Sequence, residues 1–321
     1  MNKSLGKRDF WTSFQHIFPF LGLIVIIIVF SIIAGDKIWT PTNFVGIIAL
    51  MIPLCIGGSG MIFVAAQGST DMSQGALVAF AGTLGGIASI YIGFWAFVPV
   101  SVGTGILIGI FNGVMVSKCK VSSLMVTLSM LITLRAIVAF VTNGQAFFVD
   151  QQILELNKME IKLPIFICVV ALMWYLFEYT KLGFFSKCIG ENQTVGKFAG
   201  IPVDRYKIAA FALSGAMAGL VGVFTVGSIG GISPQMGSFF ELQVMISMFV
   251  GGIPVTGGAT SRFYKLVVGA LMLAFLQNGL TISQVGAEAS ELIQGLILIC
   301  VVFFTLFVRN KFIQRQMAKE A

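Results

Sequence analysis

The segment TKLGFFSKCIGENQTVGKFAGIPVDRYK, residues 180–207, decides the fold, because it is the longest polar stretch in an otherwise mostly apolar chain. Its basic residues outnumber its two acidic residues, Glu191 and Asp204. Basic residues in a short loop between membrane spans indicate the cytoplasmic side of the bilayer. The segment therefore predicts a cytoplasmic element through which a partner inside the cell acts on the membrane part.

The composition predicts an integral membrane protein. Of the 321 residues, 57% are hydrophobic and only 10% are charged, whereas a soluble domain carries roughly 25% charged residues. The apolar runs are long and uninterrupted, so we expect helices that span the lipid bilayer. Most of the positive charge behind the net value of +7 lies in short loops and at the two ends. It therefore predicts orientation in the membrane and not nucleic-acid binding.

The apolar runs predict an all-α, polytopic protein with about ten spans and both termini in the cytoplasm. A basic segment, 1–16, precedes a single transmembrane domain, 17–308, and a basic tail, 309–321, follows it. This count puts every basic cluster on one side of the membrane, and eight or nine spans are the alternative if the two predicted broken regions do not cross it. Residues 142–163 form the longest outer segment, which predicts either a small docking helix on the outer face or a solvated loop. The predicted spans are 17–34, 44–67, 76–92, 98–116, 121–141, 164–179, 208–226, a shorter run at 241–251, 266–282 and 291–308.

Two spans carry unusual glycine patterns. The second contains Pro53 and the run Gly57-Gly58-Ser59-Gly60, which predicts a kink or a break near the middle of the membrane. The fourth carries glycine at 105, 109 and 113. Small residues spaced by four on a helix in lipid let two backbones approach closely, so this stripe predicts tight packing against a neighbouring helix.

The segment 180–207 contains signals for a short helix. Asn192 is a good N-cap, and Gly200 is a typical C-terminal stop. The intervening residues would form an amphipathic helix that presents Val195, Phe198 and Ala199 to a partner's groove. A plain surface loop is the alternative interpretation.

The residues needed for catalysis are missing. The chain has no GxxxxGK[ST] phosphate loop, and its single histidine is His16. Its five cysteines are scattered without metal-ligand spacing. The sequence therefore predicts no catalytic residues, no metal and no cofactor, and the protein is expected not to be an enzyme.

Polar residues within or beside apolar runs are candidates for a translocation path. Asp71 either caps the helix that follows or belongs to a path or a buried polar network. Arg135 either snorkels toward the outer surface or pairs with another group along a path. The full candidate set is Asp71, Asn112, Arg135, Glu241, Gln243, Gln277 and Asn278.

Three blocks of sequence together resemble the membrane permeases of bacterial ABC sugar importers, the ribose-type family that includes autoinducer-2 and nucleoside permeases. The resemblance covers nearly the whole chain. Two turns depart from the family pattern, at Gly68 and at Ile253-Pro254. The matching blocks are Thr180-Lys181-Leu182-Gly183 with Gly190-Glu191-Asn192 and Ala199-Gly200-Ile201, Phe111-Asn112-Gly113-Val114 with Arg135 and Thr142-Asn143-Gly144, and Glu241-Leu242 with Gly251-Gly252, Gly269-Ala270-Leu271 and Gln277-Asn278-Gly279-Leu280.

The resemblance implies a permease of the bacterial cytoplasmic (inner) membrane that imports a small polar solute, with a monosaccharide favoured. It implies three protein partners: a cytoplasmic ATPase, an extracytoplasmic solute-binding protein and a second copy of this chain or a similar permease. The ATPase would grip the coupling residues, which are Gly190, Glu191, Asn192, Val195, Gly196, Phe198, Ala199, Gly200 and Ile201.

Two other classes of transport protein fit the same apolar pattern. An ion-coupled secondary carrier also uses broken helices near the middle of the membrane, and a passive channel needs neither ATP nor a gradient. The acids lie near the predicted span ends, where proton-coupled carriers seldom place their coupling groups. This distribution and the short cytoplasmic helix favour the ABC permease.

Overall fold

The computed structural model of the protein describes residues 20–300 and residue 303, and this part of the chain is almost entirely helical. Two short strands form the only sheet among the described residues. The elements in chain order are α1 (20–34, continued by a 3₁₀ turn at Gly35–Trp39), α2 (Pro41–Ala66), α3 (Gln74–Ile92), α4 (Phe97–Ser117), α5 (Ser123–Val141), β1 (Phe147–Phe148), α6 (Gln151–Glu155), α7 (Met159–Tyr179), α8 (Lys181–Glu191), α9 (Gln193–Phe198), α10 (Val203–Ile229), β2 (Gly231–Ile232), α11 (Phe240–Val250), α12 (Phe263–Ile282) and α13 (287–300).

The all-α, polytopic prediction is confirmed. Within the described residues, eight helices are long and apolar enough to cross a membrane: α1 with its 3₁₀ turn, α2, α3, α4, α5, α7, α10 and α12. The predicted short run at 241–251 corresponds to α11. The count of ten spans and the cytoplasmic termini remain predictions. The described residues do not include 1–19, 301–302 and 304–321. The predicted N-terminal segment with His16, the predicted tail and parts of the first and tenth predicted spans therefore lie outside them.

Helices α2 and α10 form the centre of the bundle, and α4 packs directly on α10. A Cβ added at Gly105 would lie 2.1 Å from the Gly215 carbonyl oxygen, and one at Gly109 would lie 2.3 Å from the Phe211 carbonyl oxygen. Only glycine permits backbones to approach this closely. The prediction that the glycine stripe packs against a neighbouring helix is therefore confirmed.

Helix α2 continues through Pro53 and through the glycine run without interruption, so the predicted break is absent. The glycines instead leave space for side chains and backbone of other helices to pack against α2 on several sides. A Cβ at Gly57 would meet the Phe240 ring at 2.8 Å, and one at Gly60 would meet the Leu213 carbonyl oxygen at 2.6 Å. The glycine run thus lets α10, α11 and α12 approach α2 closely.

We call the end of the bundle that carries residues 180–207 the inner end, and the opposite end the outer end. At the outer end, β1 pairs antiparallel with β2, with Phe147 opposite Ile232. The small helix expected in the outer segment is present as α6, and it is anchored by the fully buried side chain of Ile153. Its use as a docking surface stays a prediction.

Candidate functional site

The helix predicted in the coupling segment is present as α9. The Asn192 side-chain oxygen accepts hydrogen bonds from the backbone N–H groups of Thr194 and Val195, at 2.9 and 3.0 Å. At the other end, Gly200 has φ of +81°. The N–H of Gly200 bonds to the carbonyl of Lys197, and that of Ile201 bonds to the carbonyl of Gly196. Both ends are therefore closed, because an asparagine N-cap and a Schellman motif satisfy the free backbone groups.

Helix α9 exposes its apolar side chains. Phe198 is 89% exposed and Val195 is 62% exposed, and Ala199 beside them is also exposed. Gly196 is the one buried residue of α9. An exposed aromatic residue on a rigid, capped helix is typical of an anchor for a protein partner.

The preceding helix, α8, packs tightly against the inner end of the bundle. A Cβ at Gly190 would lie 2.0 Å from the Ala66 carbonyl oxygen at the end of α2. Glu191 Oε1 accepts a hydrogen bond of 2.7 Å from the Ala259 N–H in the loop before α12. Gln67, just after α2, donates to Ser186 Oγ and to the Tyr206 carbonyl, both at 3.0 Å. Helix α8 is thus in direct contact with the end of α2 and with the loop before α12.

Glu178, near the end of α7, joins three elements at the inner end. Its Oε2 contacts Lys187 Nζ of α8 at 2.7 Å and Arg262 Nη1 at 3.3 Å. Its Oε1 accepts the Phe263 N–H at the start of α12, at 2.8 Å. The Glu178 and Lys187 side chains are only 14% and 12% exposed, so solvent screens this ion pair weakly.

We expect Glu178→Ala to destabilise the protein by about 1–3 kcal/mol, because it leaves a mostly covered lysine and a backbone N–H without their acceptor. The matched control is Glu155→Ala, which removes the exposed pair between Glu155 and Lys158. Such exposed pairs contribute about 0–1 kcal/mol. Thermal unfolding in detergent measures both variants, and equal unfolding temperatures would contradict the role assigned to Glu178.

A second cluster lies inside the bundle, around Asp71. Its Oδ1 accepts bonds from the N–H and the hydroxyl of Ser73, at 3.1 and 2.6 Å. Its Oδ2 accepts the Ser214 hydroxyl at 2.7 Å. Asn112 donates to Ser73 Oγ at 3.0 Å, and Gln74 donates to the Gly57 carbonyl at 2.9 Å. Of the two interpretations of Asp71, the geometry favours the buried polar network.

Arg135 and Glu241 lie near the non-helical segment 233–239, between β2 and α11. Arg135 Nη1 donates to the carbonyl oxygens of Met236 and Pro234, at 2.6 and 3.2 Å. Arg135 is therefore held by backbone acceptors inside the protein and does not depend on snorkelling. The Glu241 carboxylate lies against the first turn of α3, where a Cβ at Gly75 would overlap its Oε2.

Gln277 and Asn278 lie apart from these groups, in the outer half of α12. Asn278 donates to Asn43 Oδ1 of α2 at 2.8 Å, and Gln277 donates to Gln294 Oε1 of α13 at 3.2 Å. The structure thus distributes the candidate path residues over three places. Asn112 and Asp71 are almost completely buried, so in this state they support neighbouring elements and do not line an open surface.

Sequence reasoning missed several residues that hold the inner end together. Lys265, only 2% exposed, donates to the carbonyls of Gly252 and Thr260 and so closes the loop before α12. The signal that would have found Glu178 is an acid at the basic end of a span, because an isolated acid among cations usually pairs with one of them.

The fold combines membrane-spanning helices with two distinct kinds of polar site. Apolar helices surround buried polar clusters, and a rigid, capped helix projects an exposed aromatic residue from the basic end. These are features of a polytopic membrane protein with an exposed apolar surface at its basic end. The chain belongs to the permease family described as "Branched-chain amino acid transport system / permease component", whose family model matches residues 43–302.

Curated relatives match over most of their length. The chain is 28% identical over 303 residues to the ribose import permease protein RbsC of Haemophilus influenzae, covering 91% of this chain and 93% of the relative. It is 30% identical over 285 residues to the L-arabinose ABC transporter permease protein AraH of Azospirillum brasilense, covering 85% and 82%. It is 26% identical over 308 residues to the fructose import permease protein FrcC of Rhizobium meliloti, covering 91% and 85%.

No solved structure matches the chain. The resemblance to ribose-type ABC permeases is confirmed by these relatives. The chain is a transport subunit and not an enzyme, and it is a multi-pass protein of the inner membrane.

Proposed function

We propose that the chain is the transmembrane permease of an ABC importer that carries a monosaccharide across the cytoplasmic membrane, driven by a separate ATPase that grips α9. The observation that carries the proposal is α9 itself. Phe198 stands 89% exposed on a short helix whose two ends are fixed by Asn192 and Gly200. A rigid helix with one bare aromatic residue suits insertion into a groove of a partner.

The proposed solute follows from the relatives and from the chemistry of the polar groups. The three relatives are named for ribose, arabinose and fructose, whereas the family description names branched-chain amino acids. An amino acid carries two charges, and carriers of charged groups need compensating side chains. Here the charge of Arg135 is directed at backbone carbonyls. The remaining polar groups are mostly neutral amides and hydroxyls, which favours an uncharged, hydroxylated solute.

Three protein partners follow from the proposal. The ATPase binds the inner end through the coupling residues from Gly190 to Ile201. A solute-binding protein delivers the sugar to the outer end, where α6 and the β1–β2 ribbon offer a docking surface. A second copy of this chain, or a similar permease, completes the path across the membrane.

The experiment is purification of the full chain from its native membrane in mild detergent, followed by reconstitution in liposomes. We expect an ATPase subunit to copurify and sugar uptake to require ATP and the solute-binding protein. Uptake by the chain alone, driven by an ion gradient, would overturn the proposal and identify a secondary carrier. Flux without ATP or gradient would identify a channel.

We expect Asn112→Leu and Gln277→Leu each to lower uptake by roughly tenfold, since removing one partner of a buried or partly buried hydrogen bond costs about 1–3 kcal/mol. The ATPase should still copurify, because neither side chain lies at the inner surface. The control is Thr281→Val, whose hydroxyl bonds only to the Gln277 carbonyl of its own helix. If Asn112→Leu and Gln277→Leu take up sugar at the wild-type rate, neither residue lines or supports the path.

A further inference from the structure

The segment 233–239 is non-helical, yet it lies beside the middle of two spans. Met236 accepts a hydrogen bond from Arg135, which belongs to the second half of α5. A Cβ at Gly82, within α3, would lie 2.8 Å from Met236 Cε. A Cβ at Gly237 would lie 2.6 Å from the Gly75 carbonyl oxygen in the first turn of α3. The segment therefore descends from β2 at the outer end to the level where α3 begins.

One side of this segment is open at the surface of the chain. Gln235 and Ser238 are exposed, and Phe239 is 52% exposed. Ser238 Oγ donates to the Gln235 carbonyl at 2.7 Å. Gln243, half-buried, follows one helical turn after Phe239, and its N–H bonds to the Phe239 carbonyl at 3.1 Å. We call Gln235, Ser238, Phe239 and Gln243 the segment surface.

The segment surface is not suited to direct contact with lipid. Non-helical backbone at membrane depth is tolerated only where it is buried in protein or lines a water-filled cavity. Most other exposed side chains on α4 and α5 at this depth are apolar, and the exposed hydroxyl of Thr133 donates to the Ser129 carbonyl of its own helix. On α4 and α5, Leu107 is 69% exposed and Ile132 is 68% exposed, and both are apolar. Amide and hydroxyl groups beside exposed backbone thus distinguish the segment surface from these lipid-compatible faces.

Phe239 has a backbone conformation that a bulky residue seldom adopts. Its φ is +60° and its ψ is 8°, in the left-handed region. Such conformations cost of order 1–3 kcal/mol and concentrate at binding sites. Glycine would fit the backbone without strain, so the presence of an exposed aromatic ring here points to a use for the ring.

We propose that the segment surface lines the aqueous translocation path and contacts the solute, an uncharged hydroxylated molecule. The Phe239 ring packs against the C–H face of the solute, and the Gln235, Ser238 and Gln243 side chains exchange hydrogen bonds with its hydroxyl groups. Such a site, with one apolar wall and a few polar groups, is typical of small-molecule recognition. Arg135 is a positioning residue, because it fixes the backbone of the segment. This inference rests on the proposed function.

The first test is thiol accessibility in a variant that lacks the five native cysteines. Ser238→Cys and Gln235→Cys are treated in open membrane vesicles with a small charged methanethiosulfonate, which reaches both membrane sides. Only a thiol in contact with water ionises and reacts readily. Ile132→Cys and Leu107→Cys are the apolar controls. We expect modification at 235 and 238 and none at 132 and 107.

Two outcomes would overturn the path assignment. One is a lack of modification at 235 and 238 when the same thiols react after denaturation. The other is disulfide cross-linking of Ser238→Cys between two copies of the chain without modification by the reagent, which would make the segment surface a subunit contact. The labelling needs neither ATP nor transport, so its failure is distinguishable from failure of the proposed ABC function.

The second test separates the ring of Phe239 from its backbone. Phe239→Gly keeps the left-handed conformation and removes the ring. Gln284→Gly is the matched control, since Gln284 has φ of +59° in the turn between α12 and α13. We expect both variants to unfold at or above the wild-type temperature, and only Phe239→Gly to lose uptake, by about tenfold. Equal uptake in the two variants would overturn the contact between Phe239 and the solute.

Discussion

Gly196→Pro is expected to abolish ATP-driven uptake while the permease remains folded in the membrane. The Gly196 N–H bonds to the Asn192 carbonyl at 3.0 Å. Proline removes that donor, and its ring clashes with the preceding turn, at a cost of about 3 kcal/mol or more inside a helix. Because α9 has only six residues, no helical turn would survive the substitution to hold Phe198 and Val195 in place.

The matched control is Gln193→Pro, in the same short helix. Gln193 is the first helical residue, where the backbone N–H that proline lacks has no partner within the helix. The preceding Asn192 is extended, with φ of −159° and ψ of 106°, which suits a residue before proline. Gln193→Ala is the second control, because it removes the side-chain oxygen that accepts a bond from Lys207 without introducing proline. Uptake and ATPase copurification should survive in both controls and disappear in Gly196→Pro; survival in Gly196→Pro would refute the coupling role of α9.

The same geometry suggests how force on α9 would reach the bundle. Helix α8 follows α7 directly, and Glu178 ties α7 to α8 and to the start of α12. Glu191 ties the end of α8 to the loop before α12. A partner that pulls on Phe198 therefore acts on α2, α7 and α12 together, without a flexible linker to absorb the motion.

The sequence predicted those features that depend on residues close together in the chain. The bounds of α9 follow from Asn192 and Gly200, and the close packing of α4 against a neighbouring helix follows from glycine spacing. In α2, the same residue types predicted a kink or a break, and the structure shows a helix without a break. Proline and glycine indicate a break when neighbours are unknown, but Gly57 and Gly60 leave room for Phe240 and the α10 backbone. Only the packed bundle reveals which of the two purposes applies.

The polar clusters depend on pairs that are distant in sequence. Asp71 meets Ser214, and Gln67 meets Ser186. Nothing in the periodicity of a single span indicates which polar side chain in another span it will meet. The sequence therefore identified Asp71, Asn112 and Arg135 as polar residues within or beside apolar runs, whereas the fold alone supplied their partners.

Gly105→Ala is expected to cause the largest loss of folded protein among single methyl additions to α4. The new Cβ would lie 2.1 Å from the Gly215 carbonyl oxygen, and that backbone has no side chain that can move aside. Overpacking costs about 1–3 kcal/mol and occasionally more. The control is Gly103→Ala, two residues earlier in the same helix, where an added Cβ has nothing within 4 Å. The yield and unfolding temperature in detergent should fall for Gly105→Ala alone, and equal values would contradict the close contact.

The effect of Gly105→Ala should extend to transport by the molecules that still fold. Separation of α4 from α10 moves Asn112 and Ser214 away from the loop that both contact. The hydrogen bonds at stake are short, 3.0 Å from Asn112 to Ser73 and 2.7 Å from Ser214 to Asp71. An outward shift of about 1 Å takes both beyond hydrogen-bond range and leaves a buried carboxylate with fewer donors. Uptake per folded molecule should therefore fall in Gly105→Ala and stay at the wild-type level in Gly103→Ala, because the two helices hold the polar network closed.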